Sequence, residues 1–143
     1  MNFPQFLNSF QPIKPLSNFD IIEKCKQLNI QNFKCVLARD ELTGTASNNE
    51  SLIFNLDDSK GPGNHWICIY NKNGKCLYFD SYGFVPPIEA ENYCKGKENY
   101  YNTFKIQASN EIICGHYCIY VLYQLNNGRL FSDVLNELYK INN

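Results

Sequence analysis

Apolar residues fall in blocks whose spacing changes from helical to extended and back along the chain. Residues 1–16 hold three prolines (Pro4, Pro12, Pro15) among Phe, Gln and Asn, which predicts an N-terminal arm, not a long element. Ser17-Asn18-Phe19-Asp20 has the form of a capping box, and a helix is expected from there to about Leu28, burying Phe19, Ile22 and Leu28. Residues 33–42 are mixed in pattern and fit either state, 52–56 suit a short strand, and 61–64 (Gly-Pro-Gly-Asn) form a turn. Residues 65–70 and 76–80 are apolar at successive positions and are separated by a segment carrying Asn73-Gly74, the pair favoured in two-residue hairpins. A hairpin apolar on both sides belongs in the middle of a sheet covered on both faces. Residues 88–94 suit a short helix and 100–107 a strand. Residues 114–125 form a helix with almost no polar face, hence buried, with Gly128 at its stop. Ser132 is placed to cap a last amphipathic helix through Val134, Leu135, Leu138 and Ile141. This order predicts an α+β fold: a central mixed or antiparallel sheet flanked by helices.

Length and composition narrow the class. The 143 residues suit one domain, 1–143, large enough to bury a core without a metal or disulfide staple. Hydrophobic residues make up 44% and aromatics 15%, which excludes a disordered chain. A net charge of −1 gives no basic excess for binding nucleic acid or an anionic membrane, and no apolar run is long enough to cross a bilayer. The first residues lack the layout of a signal peptide, so the seven cysteines are expected as reduced thiols. Cys25, Cys35, Cys68 and Cys76 lack zinc-ligand spacing, and neither a metal nor another cofactor is expected.

Candidate chemistry centres on one of the two histidines. If Asn73-Gly74 are the turn, Lys72 faces Lys75, and counting back along both strands puts Ile67 opposite Asp80. His65 and Asp80 are then diagonal neighbours on one face, with β-carbons roughly 7–8 Å apart, within reach of an imidazole–carboxylate hydrogen bond. A single bulge would place them on opposite faces. Cys114 begins the buried helix, where the dipole favours a thiolate, and Gly115 permits close approach by a substrate or another backbone. Gln107, at the expected end of the preceding strand, can offer its amide to an oxyanion. Alone, Cys114 would be read as core; beside His65, Asp80 and Gln107 it reads as a nucleophile. Cys118, one turn on, is expected in the core. His116 does not share a face with Cys114 and is expected as a hydrogen-bonded or half-exposed histidine.

The blocks G-N-H-W at 63–66, F-D-S-Y-G-F at 79–84 and Q-A-S-N-E-I-I-C-G at 107–115 resemble, in order and spacing, those of the adenovirus proteinase (adenain) family, in the clan that also holds the deSUMOylating proteases. The segments F-K-C-V-L-A-R-D-E-L (33–42) and N-E-S-L-I-F-N-L-D (49–57) look more like adenain-type proteases of virophages and Polinton-like elements. The resemblance covers roughly residues 19–125, with Asp80 where adenain has Glu. It implies a cysteine-protease fold with Cys114 as nucleophile, His65 as acid and base, Asp80 orienting the imidazole, and Gln107 in the oxyanion hole. Trp66 would pack beside the imidazole and, with Gly115, border the cleft. It implies a viral maturation endopeptidase that cleaves capsid or other structural precursors near Gly or small residues, working as a monomer in the virion or at the cytoplasmic assembly site. The alternatives are an isopeptidase for a ubiquitin-like modifier, or an acyltransferase or inactive binding module on the same fold. A DNA or peptide activator is known in the family, but the charge here does not indicate DNA, and Cys94 is offset from adenain's peptide-linked cysteine.

Overall fold

The structure, a computed structural model, describes residues 1–57, 65–108 and 111–142; the turn expected at 61–64 lies outside them. Five strands form one sheet in the order β1-β2-β3-β4-β5: β1 Phe33–Ala38, β2 Asn49–Asn55, β3 Trp66–Lys72, β4 Lys75–Phe79 and β5 Glu98–Tyr101. The two outer pairings are parallel and the two inner ones antiparallel. The mixed α+β architecture expected from the sequence is therefore the observed one. Residues 33–42, readable either way, split into β1 and a 3₁₀ turn at Arg39–Glu41.

The central hairpin has the expected register. Lys72 pairs with Lys75 and Cys68 with Phe79. Asn73 (φ 54°) and Gly74 (φ 76°) both adopt the left-handed conformation that the tight turn demands. Side chains alternate across the sheet. Cys68, Tyr70 and Phe79 enter one core with α2 (Asn18–Gln27) and α4 (Cys114–Asn126), while Ile67, Ile69, Cys76 and Tyr78 enter a second with α3 (Ile88–Tyr93) and the 42–46 loop. The α4 helix is buried on nearly its whole circumference, as its apolar sequence requires. Gly128, at φ 92°, closes it with the N–H of Gly128 bonded to Leu125 O and that of Arg129 to Gln124 O.

Several local expectations are corrected. Ser17 and Asp20 form the capping box, but α2 turns Ile21 and Cys25 inward and leaves Phe19 76% exposed; Ile22 and Leu28 are half-buried. The cap fixes where the helix starts, and packing on α4 and β1 fixes which stripe is buried. The strand expected over 100–107 is β5, beginning earlier and ending at Tyr101, so Gln107 stands in a loop. Ser132 does not cap α5 (Phe131–Ile141); Leu130 is the N-cap, with no side-chain bond. Cys76 and Cys94 are joined as a disulfide, whereas five cysteines remain free. The N-terminal arm is structured: Asn2 and Gln5 cap α1 (Phe3–Asn8), and Phe3 and Phe6 are buried. Phe3 stacks on Tyr117 with ring centroids 4.5 Å apart, and its N–H donates to Glu137 of α5 at 3.0 Å.

Candidate active site

The hairpin delivers His65 and Asp80 to one end of the sheet, both buried, with His65 Nε2 2.7 Å from Asp80 Oδ1. The same Asp80 oxygen accepts the N–H of Tyr82 at 2.8 Å. The backbone of Asp80 is held on both sides by one side chain: its N–H donates to Asn102 Oδ1 at 3.1 Å, and its carbonyl accepts Asn102 Nδ2 at 2.6 Å. The Tyr82 ring lies flat on the imidazole, with centroids 4.2 Å apart and planes 13° from parallel. Gly83 closes this turn at φ 73°, where a β-carbon would stand 2.6 Å from the backbone of Phe104, so no other residue fits without moving that chain.

Cys114 is buried at the first position of α4. The Trp66 peptide N–H donates to its Sγ at 3.5 Å. Burial alone would raise the thiol pKa, yet it lies below the ordinary value, because His65 and the Trp66 and Gly115 N–H groups all favour the thiolate. His65 mirrors this. Burial disfavours its charge, but Asp80 and the Cys114 sulfur outweigh that and push its pKa up to about 9. Each group thus favours the charged form of the other, a thiolate beside an imidazolium. With Nε2 committed to Asp80, the buried Nδ1 has no hydrogen-bond partner among the described residues and is the ring atom left to exchange a proton. Catalytic hydrogen bonds are often loose before substrate binds.

Gln107 is fully buried. Its Oε1 accepts the Ser81 hydroxyl at 2.6 Å, and its Nε2 donates to Glu111 O at 2.9 Å, leaving a second amide N–H uncommitted. The amide's orientation is thus set from both ends. The ring stacked on the imidazole is that of Tyr82. The Trp66 indole lies against Gly115, where a β-carbon would stand 3.1 Å from Trp66 Cδ1, and its Nε1 donates to Leu16 O at 3.1 Å. The small residue expected for close approach at 115 accommodates the indole.

His116 departs furthest from expectation. It is completely buried, neither ring nitrogen has a partner, and burial, helped by Lys24, lowers its pKa to about 4. Cys118 is in the core, as expected. Among the described residues no cluster of three or more His, Cys, Asp or Glu could hold a metal ion, and no helix is long and apolar enough to cross a membrane. Sequence reasoning missed Tyr82, Asn102, Ser81 and Leu16. Ser81 and Tyr82 both lie in the F-D-S-Y-G-F block at 79–84; Asn102 and Leu16 come from loops whose approach has no local signal.

No known family profile matches the chain. Among curated proteins, a protein of Acanthamoeba polyphaga mimivirus named as a thiol protease, R355, is 27% identical over 114 residues, 68% of this chain. Among solved structures, the ASFV pS273R protease superposes with a TM-score of 0.61 at 16% identity over 90% of this chain; its Se-Met form gives 0.62 at 17%. The chain spans 37% of the length of the mimivirus relative and 66% of the solved chains. Its fold is that of the ASFV protease.

Proposed function

We propose that this chain is a viral cysteine endopeptidase acting through Cys114, His65 and Asp80. The observation that carries this reading is the paired displacement of two titrations: an acidified thiol at the start of α4 facing an imidazole held charged by a buried carboxylate 2.7 Å away. A structural cysteine in so buried a position would be less acidic than usual, as Cys25 is, its pKa pushed up to about 12. The mimivirus relative and the ASFV fold agree with the reading.

In this mechanism the Cys114 thiolate attacks the scissile carbonyl carbon, and the carbonyl π pair moves to oxygen. The Cys114 N–H and the free N–H of Gln107 stabilise that oxyanion. The tetrahedral species collapses as the His65 imidazolium gives its Nδ1 proton to the departing amine, leaving a thioester on Cys114. Water then attacks the thioester, His65 takes its proton, and the acid leaves as the thiolate re-forms. Asp80 keeps the proton on Nε2 and supports the imidazolium. The substrates we assign are precursor polypeptides of viral structural proteins, cut near small residues, at the assembly site in virion or cytoplasm.

The test is incubation of purified protein with structural precursors encoded in the same genome, with new N-termini read by mass spectrometry. Wild-type protein is expected to release discrete fragments and Cys114→Ala none, while Cys118→Ala still cuts. Release of an intact ubiquitin-like modifier with no precursor cleaved would replace the endopeptidase by an isopeptidase.

A further inference from the structure

The segment between α1 and α2 runs over the start of α4 and is fastened at both ends. At its beginning, Phe10 packs edge-on against His116 with centroids 4.5 Å apart, and Lys24 of α2 places its ammonium 4.5 Å from the Phe10 ring centroid while donating to Ser9 Oγ at 3.1 Å. At its end, the Ser17–Asp20 capping box ties it to α2. Between these points Leu16 enters the site. Its carbonyl accepts the Trp66 indole N–H at 3.1 Å, and its side chain lies 3.4 Å from where a β-carbon on Gly115 would stand. Trp66 is thereby gripped at two places, by Leu16 through the indole and by Cys114 Sγ through the peptide N–H. The indole N–H can donate only once, and Leu16 takes that bond.

We propose, resting on the peptidase reading, that Leu16 is a positioning residue. By fixing the indole it fixes the peptide plane whose N–H meets the Cys114 sulfur, and so helps keep the thiol acidic. Its side chain, with Trp66 and Gly115, walls the approach to the nucleophile. A segment 49 residues before His65 in the chain thus belongs to the catalytic centre.

The chain's single tryptophan is Trp66, so tryptophan emission, excited selectively over the ten tyrosines, reports on this indole. The experiment compares wild type, Leu16→Gly, Leu16→Met and Trp66→Phe, each checked for folding by circular dichroism. The pH dependence of Cys114 alkylation by iodoacetamide is followed by mass spectrometry, which separates it from the other thiols. Leu16→Gly is expected to red-shift the emission and raise the alkylation midpoint by about one pH unit, a roughly tenfold smaller thiolate fraction on the acid side. Leu16→Met is expected to match wild type. Trp66→Phe, which removes the indole N–H and keeps a ring, is expected to raise the midpoint as Leu16→Gly does, and it decides the matter if Leu16→Gly fails to fold. An acidified wild-type thiol whose midpoint folded Leu16→Gly or folded Trp66→Phe leaves unmoved overturns the proposal. A wild-type Cys114 that is not acidified overturns the peptidase reading beneath it, a result told apart because it appears before any substitution.

Discussion

His65 commits one ring nitrogen to a fixed acid and leaves the other free to move a proton, and its coupling to Cys114 sets the working pH range. The thiolate–imidazolium pair exists above the lowered pKa of Cys114 and below the His65 value of about 9. Cleavage should therefore fall on the acid side as the thiolate is protonated and on the alkaline side, around pH 9, as the imidazolium loses the proton it must give to the amine. A pH profile of kcat/KM that rises without limit through pH 9 would show that His65 does not act as the acid. Gln107 is the other residue whose duty can be isolated. Ser81 and Glu111 hold its amide in place, so the cost of aiming it is met in the resting protein. Gln107→Ala should lower kcat by roughly 10²–10³ with KM little changed, as for loss of one oxyanion donor. Steady-state kinetics at several substrate concentrations separates this from a general loosening of the loop, which would raise KM as well.

At the scale of elements, the hairpin and α4 were legible in the sequence, and for physical reasons. A two-residue turn with Asn-Gly leaves one register, and that register alone puts His65 and Asp80 on one face. A helix apolar all round has only one place to go. The missing parts share the opposite property. Asn102, Ser81 and Leu16 act through loops, where sequence spacing says nothing about which backbone comes near. The burial of His116 was hidden because α1 and the segment after it, which cover α4, carry too few residues to show a period. That burial has a measurable result. In the fold His116 titrates at about 4, and in the unfolded chain at about 6.5. Between those values only the unfolded chain takes the proton, so this residue makes stability decline as pH falls from about 6.5 to 4, by on the order of 3 kcal/mol. His116→Leu should remove most of that decline and also raise stability at neutral pH, since two orphaned ring nitrogens disappear. Urea denaturation of both proteins at pH 7 and pH 5 checks the sign.

For the molecule as a whole, charge and connectivity carry the consequences. Thirteen basic and fourteen acidic residues leave no surplus to displace counterions from a phosphate backbone. Double-stranded DNA should change turnover by less than about twofold, and any stimulation should survive a rise in salt from about 50 to 200 mM. A large, salt-sensitive activation would point to a local patch around Lys95 and Lys97. Connectivity imposes a further order in time. The N–H of Phe3 is held by Glu137, and Glu137 also receives the Tyr120 hydroxyl at 2.7 Å and Arg129 at 2.6 Å. Phe3 of the first helix has a ring partner on α4 in Tyr117, and its tie to Glu137 is added across 134 residues of chain, the slowest kind of contact to form. Leu16 hangs from that first helix. A growing chain halted before Glu137 should leave Trp66 more open to a soluble quencher than one that carries α5. The Cys114 site would then stay unset until α5 has been made, while half-made neighbours lie within reach.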